Sequence, residues 1–330
     1  MVTVDAPLAR ALEAFALEPL SPPAPVEEFR LNENYRVETA SRVVFLRGHG
    51  PNRPFERIQR EHAGANWVAG RGLPIAEVLT TPSGQSIVEI DGRFWTAYAW
   101  VEGWTYRRGE TPVDGANALG LAHGRCLAAL RDYPAADTLP TNSEITWSTE
   151  FSIDVLESIA DEVAARGTGR EKHWHPVQVE LLRTAGRPPE AAFTALPMVA
   201  THGDFHERNV MFDAAGNLAA VVDWERFCQQ PPVFEVLRGA SFMWLMDPDL
   251  LRAYLEGIRD HAPLDPAAVR PGIDAWWQSA MHNTWAFRAG FRDGNDEVRR
   301  FLVEEEDRVM QFHDPVFREW LAETMLRFGC

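Results

Sequence analysis

Two periodicities divide the chain. Over residues 29–47, apolar and polar side chains alternate in the runs FRLNENYRVE and RVVFLR, which predict two strands joined by a short turn at 39–41. Similar runs predict strands at 77–81, 86–90 and 93–101. Asp5 as a cap and Pro7 in the first turn open a short helix with Leu8, Leu12 and Phe15 on one face, and the stretch SPPAP at 21–25 breaks the chain after it. Pro54 opens a second helix, running to about Ala69 and stopping at Gly70.

Beyond Gly103 the helical period takes over. Helices are predicted at 114–131, 146–165, 175–185, 233–246, 248–260, 265–291, 296–312 and 314–327, with Pro271-Gly272 as the point where the 265–291 stretch kinks or splits. The strands of this region are short ones around residues 202–223. A β-rich part followed by a helical one predicts an α+β fold in two lobes, 1–101 and 102–330.

Composition supports a large globular core: 330 residues, 45% hydrophobic, with 12 Trp. A net charge of −16 argues against a nucleic-acid surface, which needs a basic patch. Residues 1–103 carry 10 basic and 13 acidic side chains, so most of the excess acidity falls on the second lobe. There it would attract a cationic acceptor or simply serve solubility. Lys172 is the only lysine. Three scattered cysteines, Cys126, Cys228 and Cys330, form no disulfide framework and no paired metal motif. With no leader and no run of 18 apolar residues, the expectation is a soluble cytoplasmic protein without a membrane partner, a monomer or a homodimer.

The chemistry is concentrated in residues 202–223. His202-Gly203-Asp204 follows the apolar run MVAT, Asn209 stands five residues after Asp204 and precedes VMF, and LAAVV leads into Asp223. Phosphoryl transfer needs a carboxylate to orient and deprotonate the acceptor hydroxyl, and oxygen ligands to hold Mg²⁺ against the phosphates. An H-x-D-x-x-x-x-N loop supplies the base and one ligand, and a second Asp at a later strand end completes the metal site. No G-x-x-x-x-G-K and no G-x-G-x-x-G is present, which removes P-loop and dinucleotide-binding readings.

The strings HGDFHERNVMF and VVDWE resemble the aminoglycoside phosphotransferase and choline kinase-like superfamily of small-molecule kinases, which writes them H-G-D-x-x-x-x-N and D-[FW]-[DE]. Gly203, where protein kinases carry Arg, favours the small-molecule branch. The resemblance covers about residues 29–245 and implies a protein kinase-like two-lobe fold, with nucleotide bound by residues 1–101 and the catalytic loop, metal site and acceptor pocket in 102–330. It implies Asp204 as the catalytic base, His202 as a brace for its loop, and Asn209 and Asp223 as Mg²⁺ ligands. Glu225 then either braces the loop or faces the metal, and Glu235 braces the loop.

Relatives place a strand lysine on the nucleotide phosphates and hold it with a helix glutamate. Here the strand ends in Arg47, and Glu61 is the helix carboxylate, with Glu56 as its competitor. Asn34 fills the Asn position of the phosphate-covering hairpin, which lacks the usual glycines. The Ala99 carbonyl and Val101 amide would contact adenine, with Tyr98 at the back of the base pocket. ATP is the expected donor, and Tyr98 keeps GTP open.

For the acceptor, Glu207, Trp277 and His282 are the candidates, the last two on a stretch that also carries Trp276, Trp285, Phe287 and Asp274. The same aromatics fit a helix core. His173 and His175 form no metal pair without further ligands. The implied activity is Mg²⁺-dependent transfer of a γ-phosphoryl group to a small-molecule hydroxyl. An aminoglycoside-like or other antibiotic, a metabolite such as homoserine, choline or a sugar, and nucleotide binding without turnover are the readings that the motifs leave open.

Overall fold

The structure, a computed structural model, describes residues 6–26, 32–194, 196–244 and 246–330; Asp5 and positions 29–31 of the first strand run lie outside them. The chain divides into two compact units, Met1–Thr105 with Arg208–Phe227, and Tyr106–Glu207 with Cys228–Cys330. Among the described residues no helix is long and apolar enough to cross a membrane.

The first unit is built on an antiparallel sheet. Numbered in chain order, its elements are α1 (Ala6–Ala14), β1 (Ala24–Pro25), β2 (Glu33–Glu38), β3 (Val43–Gly48), α2 (Phe55–Ala69), β4 (Val78–Leu79), β5 (Val88–Ile90) and β6 (Arg93–Ala99). The strands run in the order β1-β2-β3-β6-β4, with β5 also on β6. The proline-rich stretch is not merely a break: Ala24 and Pro25 pair with Arg36 and Tyr35 at the sheet edge, where a missing N–H is tolerated. Alternation in β3 buries Val44 and Leu46 against Leu8, Ala11, Leu12 and Phe15 of the α1 region, together with Val37, Trp95 and Ala97. Arg47 therefore lies on the opposite face, in register with Asn34 on one side and Thr96 on the other.

A hairpin, β8 (Val210–Phe212) and β9 (Leu218–Val221), completes this unit. Residues 208–227 were expected within the second lobe. They cluster with the first because Trp104 bridges Phe212, Ile75 bridges Val221, and the Val221 amide donates to Pro74 at 2.9 Å.

The second unit is helical: α3 (Val113–Leu130), α4 (Thr149–Ser158), α5 (Ala160–Arg166), α6 (Gly169–Ala185), α7 (Pro189–Phe193), α8 (Pro232–Trp244), α9 (Pro248–Arg259), α10 (Pro266–His282), α11 (Trp285–Phe287), α12 (Phe301–His313) and α13 (Pro315–Phe328). Its two short strands, β7 (Val199–Thr201) and β10 (Cys228–Gln230), pair antiparallel. The predicted 146–165 helix is split at Ile159, and α6 starts six residues earlier than expected, at a Thr168–Glu171 capping box. The 265–291 stretch breaks at Asn283 and Thr284 rather than at Pro271-Gly272.

Candidate active site

In the helical unit, β7 delivers the His202-Gly203-Asp204 loop from a buried strand end. Gly203 has φ +82°, a left-handed conformation that side chains resist. The loop is held from three directions. The Asp204 amide donates to His202 Nδ1 at 3.3 Å, so His202 braces the turn from inside it. The Gly203 amide donates to Glu235 Oε1 at 2.5 Å, as expected of a bracing carboxylate. Glu235 Oε2 bonds His123 Nε2 at 3.2 Å, and His123 in turn bonds the Tyr254 hydroxyl at 2.5 Å and stacks on Phe205 at 4.0 Å.

The third hold is on the Asp204 side chain itself. Arg238 of α8 donates through Nη1 to Asp204 Oδ1 at 2.6 Å and through Nε to Glu144 at 3.3 Å. Burial alone would lower the Arg238 pKa, but Glu144 and Asp204 outweigh it and raise it. Neither Arg238 nor Glu144 is marked by the sequence, because Arg238 lies 34 positions from Asp204 and Glu144 lies 94 positions from Arg238.

In the sheet unit, Val210 pairs with Val221, and the Val222 amide donates to the Asn209 carbonyl at 2.9 Å. Asn209 and Asp223 therefore leave the β8–β9 ladder at the same end. Asp223 adopts φ 62°, ψ 61°, a left-handed geometry costly for a residue with a Cβ. An amide oxygen and a carboxylate at one hairpin end suit a hard cation that keeps several waters, so these two residues fit Mg²⁺.

Arg47 Nη1 lies 3.8 Å from Asp223 Oδ1, and it donates at 3.0 Å to Glu225 Oε1 while its Nε donates to Asn34 at 3.2 Å. Burial would lower the Arg47 pKa; Asp223, Tyr98 and Glu225 raise it instead. The expected Arg47–Glu61 pair is not the one formed. Glu61 pairs with Arg53, which also donates to Glu225 Oε2 at 2.8 Å. The turn before α2 brings Arg53 to the helix carboxylate, while the cross-strand register aims Arg47 at Asn34 and Glu225. Burial pushes Glu61 up to about 7 against the pull of Arg53. Glu56, the competitor, occupies the first turn of α2.

Tyr98, on the Arg47 face of the sheet, shares a hydrogen bond with His62 Nε2 at 3.1 Å, and burial pushes its phenol up to about 12. The Ala99 amide donates to Glu77 and the Trp100 amide to Val43, at 2.9 and 3.0 Å, and Val101 follows beyond the strand.

Of the acceptor candidates, Glu207 is buried in the segment after Asp204, its Oε2 3.9 Å from Nδ1 of His206, whose Nε2 is 3.8 Å from Asp204 Oδ2. Trp277 is covered by His313 and Arg318. His282 is buried, bonded to Thr149 at 2.9 Å and to the Gln278 carbonyl at 2.7 Å. Trp276 and Phe287 are core, Trp285 is exposed, and Asp274 pairs with Arg187. Their helical spacing reflects packing. His175 likewise bonds the Leu156 carbonyl in the interior.

A family model described as a phosphotransferase enzyme family matches residues 24–271. No curated protein sequence matches significantly. Among solved structures, an amicoumacin kinase in complex with AMP-PNP, Ca²⁺ and Ami is similar at TM-score 0.63 and 15% identity, covering 92% of this chain and 93% of that one. A spectinomycin phosphotransferase in complex with ADP and spectinomycin gives 0.62 and 12%, covering 92% of each chain. A microcompartment-associated aminopropanol kinase gives 0.57 and 14%, covering 98% and 100%. Identities this low carry the fold, which is kinase-like, with a small antiparallel-sheet lobe and a mainly helical one.

Proposed function

Because the chain belongs to the phosphotransferase enzyme family, we propose that it moves the γ-phosphoryl group of ATP, with GTP as the alternative donor, to a hydroxyl of a small molecule. The observation that carries this reading is the β8–β9 hairpin, which brings Asn209 and Asp223 to one end with Arg47 3.8 Å from Asp223. Two oxygen ligands beside a fixed cation match what a metal–phosphate group requires.

In this reading Asp204 orients the acceptor hydroxyl and takes its proton as the new O–P bond forms and the bond to the leaving nucleoside diphosphate breaks. His202 and Glu235 keep the loop in place. Asn209 and Asp223 would hold Mg²⁺, which when bound neutralises phosphate oxygens. Arg47 and Arg53, pre-positioned by Glu225 and Glu61, receive the phosphates as forked donors, with Asn34 orienting Arg47. The Ala99 carbonyl and Val101 amide take the base edge, and Tyr98 backs it.

The acceptor reading is an aminosugar-like or other antibiotic. The test is transfer of labelled γ-phosphate from MgATP and MgGTP into a panel of aminoglycosides, peptide antibiotics, choline, homoserine, amino alcohols and sugars. Label in an antibiotic is the expected result, and label in a metabolite alone would reassign the acceptor. Nucleotide binding with label in no acceptor would replace the enzyme reading by nucleotide binding without turnover.

A further inference from the structure

We propose that Arg238 is a positioning residue of the transfer reaction: it locks the Asp204 carboxylate in one orientation, and Glu144 locks Arg238. The inference rests on the reading of Asp204 as the base and adds the device that aims it.

The geometry has three layers. Arg238 is 6% exposed, with Nη1 2.6 Å from Asp204 Oδ1, Nε 3.4 and 3.3 Å from the two Glu144 oxygens, and the Phe242 ring 4.7 Å from its guanidinium carbon. Glu144 is itself fixed. Its amide donates to Asn142 Oδ1 at 3.0 Å, Asn142 Nδ2 donates to Gln230 at 2.6 Å, and the Ser279 hydroxyl donates to the Glu144 carbonyl at 3.1 Å. Finally, Glu235 stands three residues before Arg238 on α8, hence on the same face, and takes the Gly203 amide. One helical turn thus grips the loop twice, by its backbone through Glu235 and by its reactive side chain through Arg238.

Such an arrangement is more than a structural ion pair. A buried guanidinium with one carboxylate would already be compensated, and this one has two. Glu144 is the deeper partner, its side chain 11% exposed against 25% for Asp204. The pair with Glu144 holds the charge in place, and the second arm is spent on Asp204. With Oδ1 held by Arg238, the carboxylate meets the acceptor hydroxyl in one orientation. The hydroxyl proton passes to the carboxylate while the hydroxyl oxygen's electron pair forms the O–P bond, and the electrons of the broken P–O bond leave with the nucleoside diphosphate. His206 also faces the carboxylate, its Nε2 3.8 Å from Oδ2, His202 and Glu235 hold the loop backbone on either side of it, and Arg308 shares the Phe242 ring with Arg238.

The test is steady-state kinetics of Arg238→Met, Arg238→Lys, Arg238→Ala and Glu144→Gln beside Asp204→Asn, with nucleotide affinity and melting temperature measured on each. Misaiming a reacting group by about 1 Å costs on the order of 100-fold. Arg238→Met should therefore lower kcat by about that factor, with nucleotide affinity unchanged. Lysine should restore part of the rate, and free guanidinium should restore part of the rate of Arg238→Ala. Glu144→Gln, which frees the anchor but leaves the arm, should lose less than Arg238→Met. Because a lone buried Glu144 could unfold the single variants, a double Arg238→Met, Glu144→Met chain removes both charges together, and it should be folded and slow. A folded Arg238→Met or double variant with wild-type kcat overturns the proposal. So does a loss of kcat that parallels a loss of nucleotide affinity and is not rescued by guanidinium. If instead Asp204→Asn keeps full turnover, the base reading itself has failed.

Discussion

Three cations converge on Glu225. Arg47 and Arg53 donate to its side chain, and Arg57 donates to its backbone carbonyl at 3.1 and 3.0 Å. In the proposed reading this carboxylate, two residues after Asp223, holds the guanidiniums for the nucleotide phosphates. Hydrogen bonds to charged groups contribute about 1.5–3 kcal/mol. Arg47→Ala and Arg53→Ala should thus each raise the nucleotide KM at least roughly tenfold, measured by initial rates against donor concentration. A constant unchanged in either variant removes that arginine from the phosphate site. At this scale the sequence offers Asp204, Asn209 and Asp223 as candidates, because residue type and spacing along the chain single them out. It was silent on Arg53, whose bond to Glu225 spans 172 positions, and on Arg238, 34 positions from Asp204. No local spacing encodes contacts made only by folding.

Among elements, the placement of α10 shows where pattern reading fails. Pro271 sits near the start of the helix, so it removes a single early hydrogen bond, and Gly272 lets α10 approach Val233 of α8. The real stop is Asn283, which turns extended and accepts the Trp285 amide at 3.1 Å. The Thr168–Glu171 capping box starts α6 at Gly169, and the helix carries Pro176 in its interior. The strands β3 to β6 and α2 lie within a few residues of the predicted runs, because one-sided burial enforces their period. Close helix contact is a further element-level claim. A methyl group at Gly257 of α9 would meet the Asn117 carbonyl of α3 at 2.5 Å, so these helices touch through backbone. Gly257→Ala should cost about 1–3 kcal/mol through overpacking, seen as a lower midpoint in thermal or urea unfolding. An unchanged midpoint would mean that the two helices are not locked together there.

Across the whole molecule, part of the second lobe's excess acidity, read as drawing a cationic acceptor or as serving solubility, lies in the interior. Glu305 is 4% exposed, bonded to Asn283 at 3.4 Å, and burial pushes it up to about 8 even with Arg308 on the same helix. A carboxyl with a raised folded pKa binds more protons folded than unfolded, so its contribution to stability falls as pH rises from the ordinary 4.5 to about 8. The slope approaches about 1.4 kcal/mol per pH unit. Glu305→Gln should flatten that part of the melting-temperature profile and gain on the wild type above pH 8. Superimposable profiles would show that Glu305 is not the group titrating.

In the proposed reaction Asp204 performs the chemistry and leaves nucleotide binding to other residues. Single-turnover transfer of labelled γ-phosphate, run on wild type and Asp204→Asn with the acceptor that the panel identifies, tests it most directly when nucleotide affinity is measured in parallel. General-base removal should slow transfer by about 10²–10⁴-fold while the nucleotide Kd stays within about a factor of two, a few tenths of a kcal/mol. Transfer by Asp204→Asn at a rate near wild type would contradict the account.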